Sequence, residues 1–266
     1  MTATCWSASV PAANIIVNSL LDDVLPDAAG NITPALAAPE CTLRMAIASA
    51  NLDLPVGGAT LGCAASTTPS TTYVVGGADI IGFKPSLANG AIMLDATQAM
   101  NTASATNVLY ITGPTTIDGG AATAITLDGG SLTATPNKRI LGIAEFPAAG
   151  ASLAGSSIWV NLLSLNFQNA RVESAGACVL SFENLRIFNA NFSNCVATNT
   201  PTVAPAAGGA LFMRASDNAA STVRPDARLT RVIFKGDKAL DGGSASNPGG
   251  GAFFLVPVQA AWATWR

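Results

Sequence analysis

Gly208-Gly209-Ala210-Leu211-Phe212 recurs as Gly250-Gly251-Ala252-Phe253-Phe254, and Phe192-Ser193-Asn194-Cys195 recurs as Phe234-Lys235-Gly236-Asp237. Both pairs keep one offset, 42 residues, and so mark a repeat. Periods of about 20 to 50 residues serve stacked helix pairs and stacked strand turns alike, so composition has to choose. Pro201, Pro205, Pro225 and Pro248, with Gly242, Gly243 and Ser/Thr/Asn-rich turns, interrupt the intervening chain. They leave runs of about four to eight residues, which favours short strands over helices.

The same alternation reaches back through most of the chain. Short apolar runs such as Ile92-Met93-Leu94, Val108-Leu109-Tyr110-Ile111, Ile125-Thr126-Leu127 and Ile140-Leu141-Gly142-Ile143 sit between Gly/Asn/Asp turns. Ile158-Trp159-Val160, Val179-Leu180-Ser181-Phe182, Leu185-Arg186-Ile187-Phe188 and Leu229-Thr230-Arg231-Val232-Ile233-Phe234 continue them. The expected fold is all-β, a parallel β-helix (solenoid) over residues 79–256, after an entry segment at 1–78 and before a tail at 257–266. At about 21 residues per turn and about 4.8 Å between stacked strands, the solenoid makes on the order of eight turns and is ~40 Å long.

Charged residues are 11% and apolar residues 49% of 266, a strand-and-turn composition rather than a disordered one. No stretch reaches the ~18 uninterrupted apolar residues of a membrane-spanning helix. The nearest, from Ala252 to Trp265, is broken by Pro257 and Gln259, so no membrane span is expected. Residues 1–133 carry two basic against nine acidic side chains, and the remainder eleven against seven. In the basic half Arg214, Arg224, Arg228, Arg231, Lys235 and Lys238 have no interleaved aromatic platform in sequence, so they read as solvated turn edges and nucleic acid is not an expected partner.

The chain has no histidine, which excludes Ser-His-Asp and Cys-His nucleophile activation and removes the commonest transition-metal ligand. Its five cysteines, Cys5, Cys41, Cys63, Cys178 and Cys195, show no Cys-x-x-Cys spacing, which argues against structural zinc. Disulfides fit better: Cys41 with Cys63 would close one loop, Cys178 and Cys195 lie one turn apart, and Cys5 is left over. That chemistry fits an extracellular or cell-surface protein, although no signal peptide is visible at Met1-Thr-Ala-Thr-Cys5-Trp6.

Near the start, Ile15-Ile16-Val17 suits a first strand, followed by the acidic turn Asp22-Asp23-Val24-Leu25-Pro26-Asp27. Over Cys41-Thr42-Leu43-Arg44-Met45-Ala46-Ile47-Ala48-Ser49-Ala50-Asn51 the period changes, and Leu43, Ala46, Ile47 and Ala50 fall at helical spacing behind Thr42 as N-cap. One short amphipathic helix is expected, capping the open end of the strand stack.

Cys41-Thr42-Leu43-Arg44-Met45-Ala46-Ile47 with Ala50-Asn51 resembles the CSLREA motif, Cys-Ser/Thr-Leu-Arg-Glu-Ala-Ile followed by Ala-Asn. A strand like Ile15–Val17 precedes the motif in that family and a segment like Gly77-Ala78-Asp79-Ile80-Ile81-Gly82-Phe83 follows it, so the resemblance covers residues 14–83. Met45 stands where the family has Glu. The resemblance implies an exported protein with a right-handed parallel β-helix; structural roles are expected for Leu43, Arg44, Ile47 and Asn51 of the motif, for Cys41 and Cys63 as a disulfide, and for Gly208, Gly209, Gly250 and Gly251 of the repeat. The Phe-x-x-Asn-like and Gly-Gly-Ala-aliphatic pairs are similar to repeats of polymorphic outer membrane proteins, with Cys195 and Asp237 where those repeats carry Asn.

Few residues invite chemistry. Asp22, Asp23 and Asp27 could supply oxygen ligands to calcium, although solvated turns use the same residues. Asp118-Gly119-Gly120 and Asp128-Gly129-Gly130 read as turns that favour left-handed backbone. A β-helix enzyme acting on polysaccharide would need carboxylates on adjacent turns or a cation beside a basic residue, for which Asp217, Asp226 and Arg228 are the candidates. Asn161, Asn166, Asn169, Asn184, Asn189, Asn191 and Asn194 could stack as side-chain ladders. No cofactor besides calcium is indicated.

The expected function is therefore a non-catalytic exported or cell-surface structural or adhesive module that binds polysaccharide or other host or cell-surface polymers. The alternatives are a polysaccharide lyase or glycoside hydrolase of β-helix type, and a fragment of a longer surface passenger that self-associates through the solenoid end.

Overall fold

The computed structural model describes residues 13–22, 38–52, 54–58, 60–63, 79–95, 107–120, 124–130, 138–143, 158–198, 208–214, 225–240 and 251–256. Regular structure there is mostly strand. Strand β1 (Asn14–Val17) and helix α1 (Leu43–Leu52) come first. One level holds β2 (Asp79–Phe83), β3 (Ala91–Met93) and β4 (Asn107–Ile111), and the next β5 (Thr115–Asp118), β6 (Ile125–Asp128) and β7 (Arg139–Ile143). Above them lie β8 (Trp159–Leu163), β9 (Leu165–Gln168), β10 (Arg171–Val172) and β11 (Val179–Ser181). Then come β12 (Asn184–Ser193), β13 (Val196–Thr198) and β14 (Leu211–Arg214), and finally β15 (Ala227–Lys235), β16 (Lys238–Leu240) and β17 (Phe253–Val256).

These strands form sheets of nine, five and three strands, and every ladder between them is parallel. The 42-residue repeat is one level: Phe192 pairs with Phe234 and Leu211 with Phe253. The expectation of about eight turns of 21 residues does not hold. Thr116 pairs with Asn161 across 45 residues and Asn166 with Asn191 across 25, so levels differ in length, and among the described residues β2, β5, β8, β12 and β15 make five of them. The first two levels place strands in the nine- and five-stranded sheets and the next three place them in all three sheets, with intervening segments of unequal length, which a fixed period cannot describe.

Inward side chains stack in columns. Ile15, Ile81, Ile117, Leu162 and Ile187 form one, and Ile92, Leu127, Phe167 and Phe192 a second. Leu109, Leu141, Val179 and Leu211 form the third, and all thirteen side chains are fully buried. Each such burial contributes about 1.5–3 kcal/mol. Phe167 and Phe192 stack at 4.8 Å between ring centroids, and Phe192 and Phe234 at 5.2 Å, close to the strand spacing.

Two backbone features turn the chain. In β12 the inward positions run Leu185, Ile187 and then Ala190, Phe192, and the slip falls at Asn189, whose φ is 53°. Ser164 and Arg231 flank it on the neighbouring levels at 53° and 54°, so a column of left-handed residues bends the nine-stranded sheet. Gly208 and Gly209 explain the repeated glycines. Gly208 has φ 52°, and a Cβ on Gly209 would collide with the carbonyls of Gly251 and Lys238. Gly209 N–H donates to Gly251 O at 2.8 Å, stacking the two turns; Gly250 lies outside the described residues.

Disulfides join Cys41 to Cys63 and Cys178 to Cys195. The first closes a loop with a sequence separation of 22, for which chain entropy gives about 3 kcal/mol. The second is buried between neighbouring levels. Cys5 lies outside the described residues. No described helix is long and apolar enough to cross a membrane.

Candidate functional site

Helix α1 begins where Thr42 Oγ1 accepts the N–H of Met45 at 3.3 Å. The expected amphipathic pattern is corrected, because every residue from Leu43 to Ala50 is buried. Met45, in place of the acid of the resembling motif, is fully enclosed. The helix lies against β4, whose outer edge has no strand partner among the described residues, and its polar side chains supply what a strand would. Arg44 Nη1 donates to Val108 O at 2.7 Å, Asn51 Nδ2 donates to Tyr110 O at 2.7 Å, and Asn51 Oδ1 accepts the N–H of Thr112 at 2.9 Å. Leu43 and Ile47 are fully buried on the same helix.

Asp22 turns inward from the acidic segment. Its carboxylate accepts Nε of Arg44 at 2.9 Å and Nη2 at 2.5 Å, and also the N–H of Asp95 at 2.7 Å. Burial raises its pKa, against the opposing pull of Arg44. The Asp22 oxygens, candidate calcium ligands from sequence, here accept from the Arg44 guanidinium and the Asp95 N–H; Asp23 and Asp27 lie outside the described residues. Among the described residues no cluster of three or more His, Cys, Asp or Glu side chains could hold a metal ion. A charged residue inside an otherwise apolar helix requires an opposite charge nearby. That signal was available in sequence.

The aspartates before the Gly-Gly pairs are turn residues. Asp118 Oδ1 accepts the N–H of Gly120, and Asp128 Oδ1 that of Gly130, each at 2.9 Å. Asp128 also accepts from Gln168 at 2.7 Å and from Asn169 at 3.1 Å. Side-chain amides continue outward from there: Asn191 donates to Asn166 at 2.7 Å, and Asn161 to Thr116 at 2.9 Å.

The outward face of β8, β12 and the first half of β15 gathers different chemistry. Strand alternation turns Trp159, Asn161, Arg186, Phe188 and Arg228 away from the core, and the register aligns Thr116, Asn161, Arg186 and Arg228 in one row. The Arg228 guanidinium carbon lies 4.9 Å from the Trp159 ring centroid and that of Arg186 lies 5.9 Å from it; Arg231 sits 5.6 Å from Phe188. Sequence reading gave these cations no aromatic partners. The structure corrects that, because Trp159 and Phe188 come from other levels.

Of the catalytic candidates, Asp217 lies outside the described residues. Asp226 and Arg228 form an ion pair at 3.1 Å with side chains 52% and 56% exposed, where such pairs contribute little. The pair's role is positional, since it holds Nε of Arg228. Trp159, Arg186 and Phe188 were not singled out as site residues from sequence, because only the level register makes them neighbours of Arg228.

Asp237 occupies the repeat position of Cys195. Its Oδ1 accepts the N–H of Cys195 at 2.8 Å, and its buried Oδ2 has no hydrogen-bond partner among the described residues. Burial raises its pKa, opposed by the N–H groups of Cys195 and Lys235. A carboxyl with a raised folded-state pKa binds its proton more tightly when folded, so stability is greatest below the ordinary carboxylate range and falls as pH rises through the raised value. Asp237→Asn keeps the acceptor and removes the charge. Urea denaturation between about pH 4 and pH 7 should give a flatter curve for the variant, at least as stable as wild type at the upper end. An unchanged slope would show that Asp237 is solvated.

No family model, no curated protein and no solved structure matches this chain.

Proposed function

We propose that this chain is a right-handed parallel β-helix of the CSLREA-motif kind, whose entry strand and helix cap the stack. It acts as a non-catalytic exported or cell-surface module that holds an extended polymer along its outer face. The observation that carries this reading is the row Thr116, Asn161, Arg186 and Arg228, one outward polar side chain on each successive strand. A row with the strand repeat of about 4.8 Å presents evenly spaced polar contacts along a line, which suits an extended chain. Two disulfides among the described residues fit an oxidising compartment.

Purified protein incubated with acidic and neutral polysaccharides, with and without calcium, tests the reading. Retention on a polymer without new unsaturated or reducing ends supports it. Release of such ends would replace it with a lyase or hydrolase, and absence of both retention and cleavage would overturn polymer binding.

A further inference from the structure

We propose that the face built from Trp159, Arg186, Phe188, Arg228 and Arg231 binds the carboxylates of an acidic polysaccharide, with guanidinium groups on successive strands each taking a carboxylate. This rests on the polymer-binding reading and names the polymer's chemistry. Ring contacts hold the guanidiniums of Arg186 and Arg231, and a ring contact together with the Asp226 pair holds that of Arg228. Among the described residues Arg186 and Arg231 make no side-chain hydrogen bond, and Arg228 uses Nε alone, on Asp226. Both Nη atoms of Arg228, and all the nitrogens of Arg186 and Arg231, therefore keep their donors for a ligand.

A flexible surface arginine loses side-chain entropy when it binds, and a guanidinium already stacked on a ring loses less. The planar fork of a guanidinium matches the two oxygens of a carboxylate. Arg186 and Arg228 are register partners on adjacent strands, about 4.8 Å apart at the backbone, and both guanidiniums gather at the Trp159 ring, 5.9 Å and 4.9 Å from its centroid. The same row continues into Asn161 and Thr116, neutral groups suited to sugar hydroxyls. Base stacking is disfavoured here because guanidinium groups already lie over the Trp159 and Phe188 rings. The face lies in the basic half of a chain whose net charge is −3, so an anionic polymer is steered to this half.

The test compares full-length protein on immobilised polygalacturonate and on its fully methyl-esterified form, which has the same backbone without charge, over a salt series. Retention on the acid, loss on the ester, and binding weakened about tenfold or more by Arg186→Gln and by Arg228→Gln at unchanged melting temperature are expected. Trp159→Leu should weaken binding as well, by releasing both guanidiniums. Equal binding to acid and ester, or Gln variants that bind like wild type, would overturn this inference and leave the polymer-binding reading standing. Failure to bind any acidic or neutral polysaccharide would overturn both. Tighter binding to single-stranded poly(dT) than to polygalacturonate at matched charge would assign the face to nucleic acid and overturn it. If the Gln variants misfold, the acid-to-ester comparison on wild type decides.

Discussion

Arg44→Met should lower folding stability by about 3–5 kcal/mol, because it leaves the buried Asp22 carboxylate without its partner. Arg44 is fully enclosed, and it ties three segments together: Asp22 after β1, the helix that carries it, and Val108 in β4. The side chain of Met fills the space of the arginine stem, so the loss reports the charge and its hydrogen bonds together with the space left by the guanidinium head. Asp22→Leu combined with Arg44→Met should recover much of the deficit, since an apolar pair costs no charge burial. Denaturant midpoints at constant m-value measure both changes. A single variant within about 1 kcal/mol of wild type would mean that water reaches the pair.

Phe192→Ala is expected to cost about 3–5 kcal/mol, the range for removing a fully buried aromatic ring. The ring has a stacked neighbour on each side, Phe167 and Phe234, and no rotation of either fills the space between two rigid strands. Phe234→Ala is the internal comparison. Phe234 is partly buried and has a stacked ring on one side only among the described residues, so its loss should cost less than half as much. Equal costs for the two would show that Phe234 is as enclosed as Phe192.

Much of the strand content was legible because it is written in short-range chemistry. Gly208 and Gly209 announce a turn that only residues without a Cβ can make, and the Phe192 and Phe234 repeat states a register that the ladder then shows. The helix was legible from Thr42 and the spacing of Leu43, Ile47 and Ala50, yet its enclosure was not, since periodicity reports which faces are apolar and not what packs around them. Asp22 illustrates the limit from the other side. As a residue in an acidic turn it resembled a cation ligand; as a neighbour of Arg44 it is half of an ion pair.

Sequence alone determined many of the strand segments, several of the turns and that one interval of 42 residues spans a level, because these depend on residues close together or identical at a fixed offset. Only the tertiary structure decided that levels of 45, 25 and 42 residues bring Thr116, Asn161, Arg186 and Arg228 into one row beside Trp159, and that Arg44 closes over Asp22. The physical reason is that unequal loops can be inserted at a level for little free energy, so the distance along the chain between side chains that meet is not encoded in their local pattern. Parallel backbone pairing sets those meetings instead.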